Sequence, residues 1–108
     1  MRTPFHYLKF SSDGLLAFMI VKIISRRAHS VYEIQDALKQ EGFIVSTGSI
    51  YPIMSALRKA GHARCGFEDG DASPAIKTYE LTERGIGLLS GYRSDWKRLT
   101  GAVAGLGK

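Results

Sequence analysis

At 108 residues the chain has room for one domain with a modest core, and falls short of what an enzyme usually needs to enclose a pocket alone. A hydrophobic share of 44% with 23% charged residues excludes a disordered composition, and a net charge of +5 suits an anionic partner such as nucleic acid. The single cysteine, Cys65, cannot form an internal disulfide, which removes stapled secreted scaffolds and makes a reducing cytoplasm the expected location.

Residues 1–10 carry Pro4 and the aromatics Phe5, Tyr7 and Phe10 without a clear period, which reads as an arm that docks onto another surface. Ser11, Ser12 and Asp13 are all competent caps for a helix running to about Arg27. Its apolar positions (Leu15, Leu16, Phe18, Met19, Ile20, Ile23 and Ile24) cover more than half of its circumference, as in a helix packed on several sides. The apolar run at 15–21 is far below the roughly 20 residues of a bilayer span. It lacks a small-residue cleavage site and is followed by Arg26 and Arg27, so neither a membrane segment nor a leader is expected.

Ser30 with Glu33 three residues later forms a capping box that opens a second helix, reaching about Gln40. Its inner stripe is Ile34, Ala37 and Leu38, and Gly42 is a suitable terminator. A short link at 43–45 leads to the hydroxyl-rich start Ser46-Thr47-Gly48-Ser49 of a third helix, with Pro52 near the first turn and Gly61 closing it. Ile50, Ile53 or Met54, and Leu57 turn inward. The outward face then holds Thr47, Tyr51, Ser55 and Arg58, with Ser49, Pro52 and Lys59 beside them.

Hydroxyls, a phenol and cations on one helix face suit the phosphate oxygens of a double-stranded DNA operator, and the helix N-terminus adds amides and partial positive charge. No Arg, Asn or Gln stands early in this helix for bidentate base reading, so methyl contacts, water and DNA shape are the expected sources of specificity.

The period then changes to two. Residues 63–67 and 76–81 read as strands joined by turn formers at 68–74, a hairpin flanked by His62, Arg64 and Lys77. Its tip is acidic (Glu68, Asp69, Asp71), which argues against deep minor-groove insertion by that tip. Thr82 caps a last helix running to about Gly105. Helix, helix, helix, hairpin, helix is a mostly α (α+β) fold, a winged helix-turn-helix with an added C-terminal dimerisation helix. The expected division is 1–81 for the arm and DNA-binding domain and 82–108 for the dimerisation helix.

In that last helix Leu89, Tyr92, Trp96, Leu99, Val103 and Leu106 are spaced 3, 4, 3, 4 and 3 apart, a heptad seam whose natural cover is a second copy of the chain. The alternative is that the stripe folds back onto its own domain. Gly85, Gly87, Gly91, Gly101 and Gly105 each weaken an isolated helix by roughly 1 kcal/mol, so the helix is expected to form only when packed.

His62-x-x-Cys65, even with His29, falls short of the four ligands of a structural zinc site. Ser30, His29 and Glu33 make no nucleophile–base arrangement and there is no glycine-rich phosphate loop, so no metal, cofactor or catalysis is expected.

Gly48-Ser49-Ile50-Tyr51-Pro52, with Leu57 and Gly61, resembles the Gly-Thr-Leu-Tyr-Pro signature of the PadR family of bacterial transcription regulators. Tyr32-Glu33-Ile34 resembles that family's His-Gly-Tyr-Glu-Ile segment, and residues 77–85 its Arg-Lys-Tyr-Tyr-x-Leu-Thr-x-x-Gly junction. The chain departs from the pattern at His29-Ser30-Val31, at Ala75-Ile76 and in its acidic tip.

The resemblance is to the short branch with one C-terminal helix. It implies a homodimeric repressor on a roughly palindromic operator, released by a small molecule, with Tyr51 on a phosphate. By likeness to multidrug-responsive members, Trp96 with Leu15 and Phe18 lines an interface pore for a flat aromatic effector. The alternative function is a winged-helix homodimer acting as a protein–protein module with weak or no DNA binding.

Overall fold

The computed structural model describes residues 12–68 and 76–107; the N-terminal arm and the acidic side chains Asp69 and Asp71 lie outside the described residues. Three helices come first: α1 (Ser12–Ile24), α2 (Val31–Gln40) and α3 (Thr47–Lys59). The hairpin β1 (Ala63–Glu68) and β2 (Ile76–Leu81) follows, and then α4 (Glu83–Leu106). Apolar side chains at helical spacing meet in one core: Ile20, Val21 and Ile24 from α1, Val31, Ile34 and Leu38 from α2, and Ile50, Met54 and Leu57 from α3. Ala63, Tyr79 and Leu89 close it from the hairpin and α4. Met54 is fully buried and Ile53 half-buried, so Met54 is the inward residue of that pair. In α2, Val31 takes a core position and Ala37 is half-buried.

The helix starts are set by side-chain caps. Ser30 Oγ accepts from the Glu33 amide at 3.1 Å while Glu33 Oε1 accepts from the Ser30 amide at 2.9 Å, the reciprocal capping box. That Ser30 amide, more than the nearby Arg27, holds the Glu33 carboxyl below its ordinary pKa. Ser46 caps α3 through the Ser49 amide, and Thr82 caps α4 through the Gly85 amide. Gly42 terminates α2 with a φ of 94°, a backbone region that glycine occupies without steric cost.

Helix α1 stops at Ile24, three residues before Arg27, and a turn follows in which the Ser25 amide donates to the Val21 carbonyl and the Arg26 amide to that of Ile23. The chain must be extended by His29, whose amide donates to the Tyr79 carbonyl at 2.9 Å while the Tyr79 amide donates to the His29 carbonyl at 2.8 Å. The hairpin is thereby bridged to the turn between α1 and α2. Pro52 is the sixth residue of α3 rather than part of its first turn, so it cannot donate a helical hydrogen bond to the Gly48 carbonyl.

The antiparallel register pairs Ala63 with Leu81 and Glu68 with Ile76. At the base of this hairpin, α4 starts against the turn that follows α3. A Cβ on Gly85 would strike the His62 carbonyl and the Leu81 side chain. Gly85→Ala is therefore expected to destabilise the fold by about 1–3 kcal/mol through overpacking. Gly87→Ala, with nothing within 4 Å, should match or exceed the wild type. Paired urea titrations measure both, and equal stabilities for the two variants would contradict the packing described.

Candidate nucleic-acid interface

With Ile50, Met54 and Leu57 buried, helical geometry turns Tyr51, Ser55, Arg58 and Lys59 to the other side of α3. These four form one wall of a cleft of about 440 Å³, and Lys77 and Tyr79 of β2 form the other. Alternation along β2 puts Lys77 and Tyr79 on the same face of the hairpin, with Lys77 Nζ 5.8 Å from the Tyr79 ring centroid. Three cations thus converge on a groove with hydroxyl and phenol walls, and none of the described residues that line it is a carboxylate. Such a surface can take phosphate oxygens by charge-assisted and neutral hydrogen bonds together.

The other residues singled out from sequence lie outside that lining. Thr47 begins α3 half-buried, and Pro52 is exposed further along it. Ser49 is engaged at the cap, its hydroxyl 3.2 Å from that of Ser46. Arg64 sits opposite Glu80 in the register, on the other face of the hairpin from Lys77, and its Nε donates to Glu80 Oε1 at 2.7 Å.

Two tyrosines belong to this region that the sequence did not single out for it. Tyr79 is 5% exposed, so its ring is structural and its edge lines the cleft. Tyr32, in the first turn of α2, is 66% exposed and contributes nothing to the core. The Tyr51 phenol is pushed above its ordinary pKa, first by partial desolvation and then by the neighbouring Tyr32 hydroxyl, so it stays a protonated donor at neutral pH. An exposed aromatic beside a capping box was the available signal.

The aromatic residues on α1 and α4 come together separately. Phe18 stacks on Tyr92 with ring centroids 5.3 Å apart and meets Trp96 edge-on at 6.3 Å. Leu15 lies one turn earlier on α1, half-buried. Burial raises the Tyr92 phenol above its ordinary pKa. The seam divides along its length: Leu89 is 4% exposed inside its own protomer, whereas Val103 and Leu106 are 60% and 84% exposed.

The model of the transcriptional regulator PadR-like family matches residues 20–90, from the end of α1 through α2, α3 and the hairpin to the start of α4. The chain belongs to the PadR-like family. It is similar to the crystal structure of a PadR-like transcriptional regulator from Bacillus cereus, with 30% identity and a TM-score of 0.77 over 86% of this chain and 91% of that one. It is also similar to a Streptococcus transcriptional regulator, with 25% identity and a TM-score of 0.80 over 95% and 98% of the two chains. A PadR-like transcription factor from Bacteroides fragilis shares the fold at 24% identity and a TM-score of 0.79, covering 88% of this chain and 92% of its own. No curated protein matches.

A PadR-like protein is a winged-helix transcriptional regulator that binds DNA, not an enzyme. Among the described residues no helix is long and apolar enough to cross a membrane, and no group of three or more His, Cys, Asp or Glu is placed to hold a metal. The contact between Tyr32 and Tyr51 has a spectroscopic consequence. In an alkaline titration followed at the phenolate absorbance, Tyr32→Phe should bring the Tyr51 transition down toward the ordinary value near ~10. Comparison with the Tyr51→Phe spectrum assigns that transition, and an unmoved transition would contradict the hydroxyl pairing.

Proposed function

We propose that this PadR-like protein is a homodimeric repressor that grips operator phosphates with the cleft between α3 and β2 and is released by a small aromatic effector. The convergence of Arg58, Lys59 and Lys77 with Tyr51 and Ser55 carries the DNA part of this reading. Residues 1–81 then act as the DNA-binding unit and 82–108 as the dimerisation helix. The contact set is Thr47, Ser49, Tyr51, Pro52, Ser55, Arg58 and Lys59 on α3, with Lys77 on the hairpin. Arg64, expected from sequence to join them, is paired with Glu80 on the hairpin face turned away from the cleft and lies outside the set.

Support for the dimer comes from the distal half of α4. Its apolar side chains Val103 and Leu106, on the heptad seam, are largely exposed. In that dimer Trp96 and Leu99 sit between the buried and the exposed halves of the seam, with Leu89 and Tyr92 anchoring α4 to its own α1. Leu15, Phe18 and Trp96 then border an aromatic site next to the interface, suited to a flat ligand by ring stacking.

Fragments of genomic DNA selected by the wild type supply the operator for testing. Tyr51→Ala combined with Lys59→Ala should weaken operator binding by roughly 100-fold while gel filtration still shows a dimer, since two phosphate contacts are lost on each subunit. Wild-type affinity in that variant would refute the helix assignment. Trp96 is the single tryptophan, so flat aromatic compounds that enter the proposed site should quench its emission. Unchanged emission across a chemically varied panel would count against the site.

A further inference from the structure

The recognition helix α3 and the helix α4 meet at one small joint. After Lys59 the chain turns through Ala60 and Gly61, the latter with a φ of 79°, and the His62 amide donates back to the Leu57 carbonyl at 2.8 Å. Thr82, just before α4, closes onto that turn twice. Its amide donates to the His62 carbonyl at 3.0 Å, and its hydroxyl donates to the Gly61 carbonyl at 2.6 Å.

The same hydroxyl oxygen accepts the Gly85 amide at 3.1 Å, so one atom both caps α4 and clasps the end of α3. Gly85 lets α4 seat directly on the His62 carbonyl, and the Arg84 side chain lies 3.6 Å from where a Gly61 Cβ would be. The hairpin base, with Ala63 paired to Leu81, lies between the two halves of the joint.

We infer that Thr82 is a specificity-determining residue: through its clasp on Gly61 it fixes the angle between α3 and α4, and so the operator half-site spacing that the dimer accepts. The inference rests on the proposed function, in which α4 joins two subunits and α3 enters the groove. Once two α4 helices are paired, the separation and relative rotation of the two α3 helices follow from this angle. DNA is unforgiving of errors there, because one base pair added between half-sites displaces them by about 3.4 Å and turns them by about 34°. A rigid joint converts that mismatch into lost affinity, and a loosened joint absorbs it.

Two substitutions separate the clasp from the cap. Thr82→Asp keeps an acceptor for the Gly85 amide but cannot donate to the Gly61 carbonyl, so α4 remains capped and the chain stays folded. Thr82→Ser keeps both bonds. The full-length dimer is assayed by fluorescence anisotropy on the selected operator and on copies with one base pair inserted or deleted between half-sites.

Wild type and Thr82→Ser should lose about tenfold or more on each altered spacing, whereas Thr82→Asp should lose about threefold or less. Thermal melting and gel filtration accompany the assay, and affinity for an isolated half-site should be equal in all three proteins. A Thr82→Asp protein that keeps the wild-type spread of affinities overturns the inference while leaving the proposed function standing. A wild type indifferent to spacing overturns the two-helix DNA reading and this inference with it.

Discussion

Burial of Ile50, Met54 and Leu57 is the constraint on which the remainder of the structure depends. Helical geometry allows α3 no independent choice of outward face once these three are committed to the core. Ile20, Val21 and Ile24 supply one side of the cavity they fill, and Ile34 and Leu38 supply another. Loss of any large member leaves a void whose cost runs to about 2–5 kcal/mol, and it also frees the rotation of the helix that carries Tyr51 and Arg58. Packing thus fixes which side chains of α3 face outward, the face proposed above for DNA.

Around that helix the structure uses short polar ties rather than more core. The His29–Tyr79 bridge fastens the hairpin to the turn after α1, and this holds Lys77 across the cleft from Lys59. Thr82 and Gly85 fasten α4 to the end of α3. The surface ion pair between Arg64 and Glu80 is largely solvated and adds little stability. Its effect is electrostatic, offsetting one cation on the hairpin face turned away from the cleft.

Local chemistry was readable in the sequence wherever a local rule governs it. The capping box at Ser30 and Glu33, the caps at Ser46 and Thr82, the glycine stop at Gly42 and the change of period at the hairpin all stand where their residue types require. What the sequence left open depends on partners distant in the chain. Arg64 and Lys77 look equivalent as flanking cations, and only the strand register places them on opposite faces. The bridge from His29, in the turn after α1, to Tyr79 joins residues fifty apart, which no local signal near Arg27 announces.

The seam of α4 is an extreme case, because heptad spacing is blind to which surface covers it. Leu89 and Tyr92 turn out to serve their own domain, and the distal end is left exposed. Tyr32 stood in the sequence only as part of a motif, because the residue it neighbours, Tyr51, is on another helix.

Phosphate neutralisation by the cationic cleft is what separates a DNA-gripping surface from a protein-docking one. The direct measurement is the affinity of the wild type for its selected operator as a function of salt concentration. With Arg58, Lys59 and Lys77 engaged on both subunits, a plot of log affinity against log salt should fall with a slope of roughly −5. Affinity that is absent, or flat across the same salt range, would contradict DNA gripping by this cleft and favour a winged helix that works through protein contacts alone.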